Sequence, residues 1–148
     1  MPKILLIQGA NMVHLGKREP QFYGTTTAQQ LDEMVRAWAK ERGVTIEICY
    51  TNVEGEAINH IYRAVEEGVD GLLMNPAGFT HAGYALRDCI KAVAPLPYVE
   101  VHITNIEKRE IKSVLGSVAE GVVAGFGPTS YRLGLDAMID VLERRKPA

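Results

Sequence analysis

The segment YVEVHITN, at residues 98–105, decides how the rest of this chain is interpreted. It contains a short apolar run typical of a strand buried in a parallel sheet. The segment NPAGFTHAGYALRD, at residues 75–88, directly follows a similar run, GLLM. Because ligands of open parallel sheets bind beyond the carboxyl ends of the strands, we expect polar residues of both segments to face one cleft. These residues are Asn75, His81, Glu100 and His102.

Five short apolar runs alternate along the chain with segments whose apolar residues recur at helical spacing. The predicted strands are residues 3–8, 44–50, 71–74, 98–102 and 121–126, and the predicted helices are residues 27–42, 56–67, 83–93 and 130–143. This alternation favours a parallel sheet that is covered by helices on both faces. Right-handed crossovers then favour a flavodoxin-like α/β fold, a doubly wound sheet of five strands.

Length and composition narrow the class of protein. The 148 residues suit a single domain over residues 1–148. A net charge of −2 gives no electrostatic basis for binding nucleic acid or an anionic membrane. No apolar run approaches the ~18 residues of a membrane-spanning helix. The two cysteines have no metal-binding spacing, which favours a reduced, cytoplasmic setting.

The connection after the first strand, residues 9–26, exceeds the ~2–6 residues usual in such folds. Long loops in compact domains are commonly functional, so we expect a lid over the cleft. The loop contains Arg18 and Tyr23. A phenol is a weak base near neutral pH, but Arg18 together with Arg109 would stabilise its anionic form. The alternative is that Tyr23 only packs the loop.

Glu100 and His102 are two residues apart on a predicted strand, so their side chains point to the same face. A carboxylate fixes the tautomer of a neighbouring imidazole and favours its protonated form, as a general acid requires. The alternative is a pair that only stabilises the end of the strand. His81 follows a glycine-containing turn, where a structural hydrogen bond is the commoner role. No local motif supports a metal site built from these three residues.

Taken together, these segments resemble the type II 3-dehydroquinate dehydratases over about residues 3–140. The matching segments are GAN (9–11), REPQFYG (18–24), EGE (54–56), NPAGFTH (75–81), ALRD (85–88), VEVHITN (99–105), RE (109–110) and GVVAGFG (121–127). Each segment is weak alone, but their order and spacing together are highly specific to the family. The resemblance implies a flavodoxin-like fold and a hydro-lyase that uses neither a cofactor nor a metal.

The resemblance also implies a reaction, the anti elimination of water from 3-dehydroquinate through an enolate to give 3-dehydroshikimate. On the matching positions, Tyr23 would remove the C2 proton and His102 would protonate the departing C1 hydroxyl. Arg18 and Arg109 would stabilise and orient the phenolate. Glu100 would hold the imidazole in place.

Further residues are implied to contact the substrate. Asn11 would stabilise the enolate through a bound water. The substrate-binding residues are Asn75, His81, Asp88, Ile103 and Thr104. The first two would contact hydroxyl groups, and the backbone N–H groups of the last two would take the carboxylate. The aspartate would reach the site of a neighbouring subunit, since the family forms trimers that assemble into dodecamers.

Three departures from the family pattern affect substrate recognition. Gln8 and Ala10 replace Asn and Pro, and Val13 replaces a second Asn. The segment 111–118 is shorter than in the family and lacks its substrate-binding arginine. Lys112 is nearby and is the residue expected to bind substrate in place of the arginine, although an ammonium group cannot reproduce the two-pronged contact of a guanidinium. The loss of one charge-assisted contact costs about 1.5–3 kcal/mol.

Three interpretations therefore stay open. The first is a 3-dehydroquinate dehydratase of aromatic biosynthesis or quinate breakdown. The second is a paralogue with the same mechanism, acting as a dehydratase or isomerase on another cyclic hydroxy-ketone. The third is a flavodoxin-like binding or regulatory module without catalysis.

Overall fold

The computed structural model describes residues 1–147 and contains a five-stranded parallel sheet of order β2-β1-β3-β4-β5. The strands are β1 (Lys3–Ala10), β2 (Thr45–Tyr50), β3 (Gly71–Ala77), β4 (Tyr98–His102) and β5 (Gly121–Ala124). The helices are α1 (Pro20–Tyr23), α2 (Ala28–Glu41), α3 (Glu54–Glu66), α4 (Tyr84–Ala92) and α5 (Thr129–Arg144). This strand order confirms the flavodoxin-like, doubly wound fold expected from the sequence.

Helices cover both faces of the sheet because alternate residues of the central strands point to opposite sides. Ile4 and Leu6 of β1 pack in a buried cluster with apolar residues of α2 and α5. Leu5 and Ile7 pack in a second cluster with residues of α3 and α4. Burial on both faces explains why the strands have continuous apolar runs instead of an alternating pattern. Within residues 1–147, no helix has the length and apolar character needed to cross a membrane.

Helix α2 shows how local sequence signals set the element boundaries. The Thr27 hydroxyl accepts a hydrogen bond from the backbone N–H of Gln30, and the Gln30 side chain accepts one from the N–H of Thr27. This reciprocal pair satisfies two backbone donors at the start of the helix. Beyond the other end, Gly43 has a φ of 68°. A glycine in the left-handed region commonly follows the end of a helix.

Several element boundaries differ from the sequence-based prediction by about two residues: β1 ends at Ala10, α3 begins at Glu54 and β5 ends at Ala124. Two further segments differ more. Strand β3 continues beyond Met74 to Ala77, because it keeps pairing with β1 through Asn75 and Ala77. The long connection 9–26 is not featureless, since it contains a single 3-10 turn at Met12–His14 and the short helix α1. These local structures place the residues of the connection above the ends of β1 and β3.

The carboxyl ends of β1 and β3 approach each other closely at Gly9. A Cβ atom added to this residue would overlap the carbonyl oxygen of Pro76 and lie 3.0 Å from that of Asn75. Both obstacles are backbone atoms, which cannot rotate away as a flexible side chain would. The absence of a side chain at residue 9 is therefore required for the two strands to end side by side.

We predict that Gly9→Ala lowers the free energy of unfolding by about 1–3 kcal/mol, because the two strands must separate to admit a methyl group. Urea denaturation measures this loss. Gly55→Ala is the matched control, because Gly55 lies exposed near the start of α3 with no atom within 4 Å of an added Cβ. This control should be unchanged or more stable by about 0.5–1 kcal/mol. Equal losses in the two variants would contradict the close approach.

Candidate active site

A cavity of about 270 Å³ opens at the carboxyl ends of β1, β3 and β4. Its wall is built from segments that are far apart in sequence, in the position where parallel sheets bind ligands. The wall includes nine of the residues expected from the sequence to form the site. They are Asn11, Arg18, Tyr23, Asn75, His81, His102, Ile103, Thr104 and Arg109.

A buried ion-pair geometry supports one side of the cavity. His102, at the end of β4, is 5% exposed, and its Nε2 lies 2.8 Å from Oε2 of Glu100. Glu100 is fully buried behind the imidazole and is not part of the cavity wall. Its Oε1 accepts hydrogen bonds from the hydroxyls of Tyr98, at 2.7 Å, and Ser113, at 3.1 Å. Three partners satisfy the carboxylate and fix its orientation.

Tyr98 remains a hydrogen-bond donor in this arrangement. Burial above all, and then the charge of Glu100, raise the pKa of Tyr98 well above its usual range. The phenol therefore stays protonated and donates to the carboxylate. Since Ser113 and Tyr98 both donate to Oε1, the second oxygen of Glu100 is left to face His102.

Two guanidinium groups surround Tyr23 on the opposite side of the cavity. Nη1 of Arg109 donates to the Tyr23 hydroxyl at 3.0 Å and to Oγ1 of Thr104 at 3.1 Å. The guanidinium carbon of Arg18 lies 4.8 Å from the centre of the Tyr23 ring. Positive charge at these distances stabilises the anionic form of a phenol. The phenol of Tyr23 therefore contacts two cationic side chains.

The short helix α1 holds Tyr23 in this position. Pro20 is its first residue, where the fixed φ of proline suits a helix and no backbone N–H is needed. Gly24 follows with a φ of 73°, and its N–H donates to the carbonyl of Pro20 at 2.8 Å. The helix is thus limited to one turn, with Tyr23 as its last residue.

Asn75 belongs to a buried chain of hydrogen bonds on the floor of the cavity. Its Nδ2 donates to the Tyr131 hydroxyl at 2.8 Å, and its Oδ1 accepts from the backbone N–H of Ala77 at 3.0 Å. Tyr131 in turn donates to Oε1 of Gln8 at 2.7 Å. The side chains of Asn75, Tyr131 and Gln8 are each at most 4% exposed. The network links α5 and β1 to the cavity-lining amide of β3.

Two residues expected to bind substrate lie elsewhere. Lys112 is exposed and outside the cavity, where Ile111 stands in the wall. This placement gives no support to a contact between Lys112 and a ligand. Asp88 is exposed on α4, also outside the cavity of its own chain. Over residues 1–147, no three side chains of His, Cys, Asp or Glu come together as metal ligands would.

Sequence reasoning missed the residues that hold the site from behind. Tyr98 carries a usable signal, because it is two residues before Glu100 and therefore points to the same face of β4. Ser113 and Tyr131 come from distant segments with no local pattern that connects them to the site. In the sequence, Gln8 stands out only as a departure from the family pattern.

The family model for class II dehydroquinases matches residues 2–139. The chain belongs to the class II dehydroquinase family. The 3-dehydroquinate dehydratase of Thioalkalivibrio sulfidiphilus is 44% identical in an alignment of length 147 that covers 97% of this chain and 99% of that protein. That of Thermus thermophilus is 42% identical and covers 95% of both chains. The type II dehydroquinase structure from Butyrivibrio crossotus has a TM-score of 0.89 and 35% identity, over 93% of this chain and 97% of that one.

These similarities confirm the family that the sequence motifs indicated. They make this class II dehydroquinase an enzyme and a hydro-lyase. They also support the sheet topology, since the similar crystal structure covers nearly the whole chain. The interpretation as a binding module without catalysis is therefore set aside.

We predict that Glu100→Gln lowers the free energy of unfolding by about 1–3 kcal/mol. The amide oxygen can still accept from Tyr98 and Ser113, but the amide NH₂ group then faces Nε2 of His102, which loses its carboxylate acceptor. Urea denaturation at neutral pH measures the change. Glu47→Gln is the control, because Glu47 pairs with Arg63 at the surface and such pairs contribute about 0–1 kcal/mol. A Glu100→Gln variant as stable as the control would show that the buried network does not hold the carboxylate.

Proposed function

We propose that this dehydroquinase removes water from 3-dehydroquinate to give 3-dehydroshikimate, by anti elimination through an enolate. One observation carries the proposal. A phenol in contact with two guanidinium groups, and an imidazole paired with a carboxylate, face the same small cavity. They come from different elements, α1 and β4, and can serve as the base and the acid that an elimination with two proton transfers requires.

The first step is the removal of a proton from C2, next to the ketone of the substrate. The Tyr23 phenolate takes the proton, and the electron pair of the C–H bond moves to the ketone oxygen to form an enolate. Arg109 donates to the phenol oxygen and Arg18 lies against its ring, and these contacts fix the direction of the side chain. Asn11, which follows β1 and lines the cavity, stabilises the enolate through a bound water.

The second step is the departure of the C1 hydroxyl. The imidazolium of His102 gives its proton to this hydroxyl, which leaves as water. The enolate electrons form the C1–C2 double bond and restore the ketone, so the product is a conjugated enone. Glu100 holds the imidazole and stabilises its charged form before the transfer. A proton then returns from Tyr23 to His102 through solvent.

The remaining cavity residues bind and orient the substrate. In our proposal, the substrate carboxylate is held by the backbone N–H groups of Ile103 and Thr104, which line the cavity directly after β4. Asn75 and His81 contact hydroxyl groups. Asp88, exposed on α4, contributes to the site of a neighbouring subunit in a trimer-based dodecamer.

The cellular role follows from the reaction. Conversion of 3-dehydroquinate to 3-dehydroshikimate is a step of the shikimate pathway to aromatic amino acids, and the same reaction serves quinate breakdown. Both cysteines are free, which agrees with a reduced cytoplasmic setting. We propose this location and this pair of roles for the enzyme.

One observation favours a second candidate function. Ile111 occupies the cavity wall while Lys112 points to solvent, so the shortened 111–118 segment supplies no cation to the substrate. A paralogue that acts on another cyclic hydroxy-ketone, as a dehydratase or an isomerase, would keep the same base and acid. Its substrate would bind to the enzyme without a cationic side chain from the 111–118 segment.

We predict that the purified enzyme converts 3-dehydroquinate with chelator present, followed by the ultraviolet absorbance of the enone product. Tyr23→Phe and His102→Ala should each lower kcat by about 10²–10⁴-fold, because each removes one proton transfer. Tyr62→Phe is the control, since Tyr62 lies exposed on α3, and it should keep wild-type activity.

Two results would contradict this function. Full activity of the folded Tyr23→Phe variant would exclude Tyr23 as the base. A folded wild-type enzyme that is inactive on 3-dehydroquinate but active on another cyclic hydroxy-ketone would support the second candidate instead.

A further inference from the structure

We propose that Tyr131 is a positioning residue which, anchored by Gln8, holds Asn75 so that this amide presents an N–H donor to the substrate. The proposal rests on the function proposed for the same cavity. Tyr131 is buried in α5 and does not line the cavity, so it acts only through Asn75.

The direction of the hydrogen bonds follows from the backbone. The N–H of Ala77 can only donate, so the amide atom of Asn75 that faces it at 3.0 Å must be the oxygen. The nitrogen of Asn75 therefore faces the Tyr131 hydroxyl, which accepts from it at 2.8 Å. A phenol has one proton, and that proton is left to be donated to Gln8 Oε1 at 2.7 Å.

Burial keeps this arrangement in one state. Burial raises the pKa of Tyr131, so the phenol retains the proton that it donates to Gln8. Gln8 is fully buried, and its Nε2 has no hydrogen-bond partner within residues 1–147. The hydrogen bond from Tyr131 therefore anchors the Oε1 end of this buried amide.

The consequence for the site is a fixed donor on the cavity floor. Oδ1 and one proton of Nδ2 of Asn75 are already used, which leaves the second Nδ2 proton. That nitrogen lies 3.5 Å from Sδ of Met12, a weak acceptor in the cavity wall. A substrate oxygen is a better acceptor and can replace the sulfur. Asn75 therefore offers an N–H donor to a substrate oxygen.

Removal of the Tyr131 hydroxyl would leave one end of the Asn75 amide without a partner. The amide would then be less strongly restrained, and its donor would be lost to the substrate for part of the time. A lost neutral hydrogen bond weakens binding by about three- to tenfold. The effect should fall on KM, because the contact is made with the bound substrate and not with the reacting atoms.

The test is a double-mutant cycle on 3-dehydroquinate turnover with Tyr131→Phe, Asn75→Ala and the double variant. Tyr131→Phe should raise KM about three- to tenfold with kcat changed less than about twofold. In the Asn75→Ala background, Tyr131→Phe should have no further effect on KM. Ser130→Ala is the matched control, since Ser130 is a buried hydroxyl on α5 that accepts from the N–H of Phe126 at 3.0 Å and is not part of the Gln8–Tyr131–Asn75 network. Its KM should equal that of the wild type.

Two outcomes would overturn the proposal. One is additive effects in the cycle, which would show that Tyr131 does not act through Asn75. The other is an equal rise of KM in Ser130→Ala, which would indicate a general effect of losing a buried hydroxyl. Gln8→Met serves if Tyr131→Phe does not fold, since it removes the acceptor and should raise KM in the same way. An inactive wild-type enzyme would refute the proposed function itself, which separates that failure from this one.

Discussion

The parallel pairing of β1, β3 and β4 is the constraint on which the site depends. Parallel strands bring their carboxyl ends to one edge of the sheet, and every wall of the cavity starts from one of these ends. Gly9 permits the tightest part of this arrangement, where β1 passes the backbone of Pro76. The pairing of residues 8 with 75 and 10 with 77 then places the two following loops side by side.

Polar groups that are buried behind the cavity give the site its rigidity. Glu100 and Asn75 are each held by partners from other parts of the chain, so neither depends on solvent for its orientation. In a low-dielectric interior, a polar group without a hydrogen-bond partner raises the free energy of the folded state. Because a change of orientation would break its hydrogen bonds, a fully paired polar group keeps one orientation. Ala77 adds local strain, since its φ of 48° is unusual for a residue with a side chain. The N–H of this strained residue is the one that orients Asn75.

Much of the fold could be predicted because its signals are local. The boundaries of β4 follow from a short apolar run, and the start of α2 follows from the Thr27 capping pair. The end of β3 could not be predicted, because its last residues owe their strand conformation to pairing with β1. The same limit applies to the site. The pairing of Glu100 with His102 is visible in strand periodicity, whereas the contacts of Ser113 and Tyr131 arise only when distant segments meet.

In the proposed mechanism, proton removal and hydroxyl departure are carried out by different residues, Tyr23 and His102. The most direct measurement is NMR detection of deuterium at C2 of 3-dehydroquinate recovered from the variants in heavy water. We predict that His102→Ala exchanges one C2 proton without forming product, because Tyr23 still makes the enolate. Tyr23→Phe should exchange no C2 proton above the enzyme-free rate. Exchange in Tyr23→Phe at the rate seen in His102→Ala would contradict this mechanism.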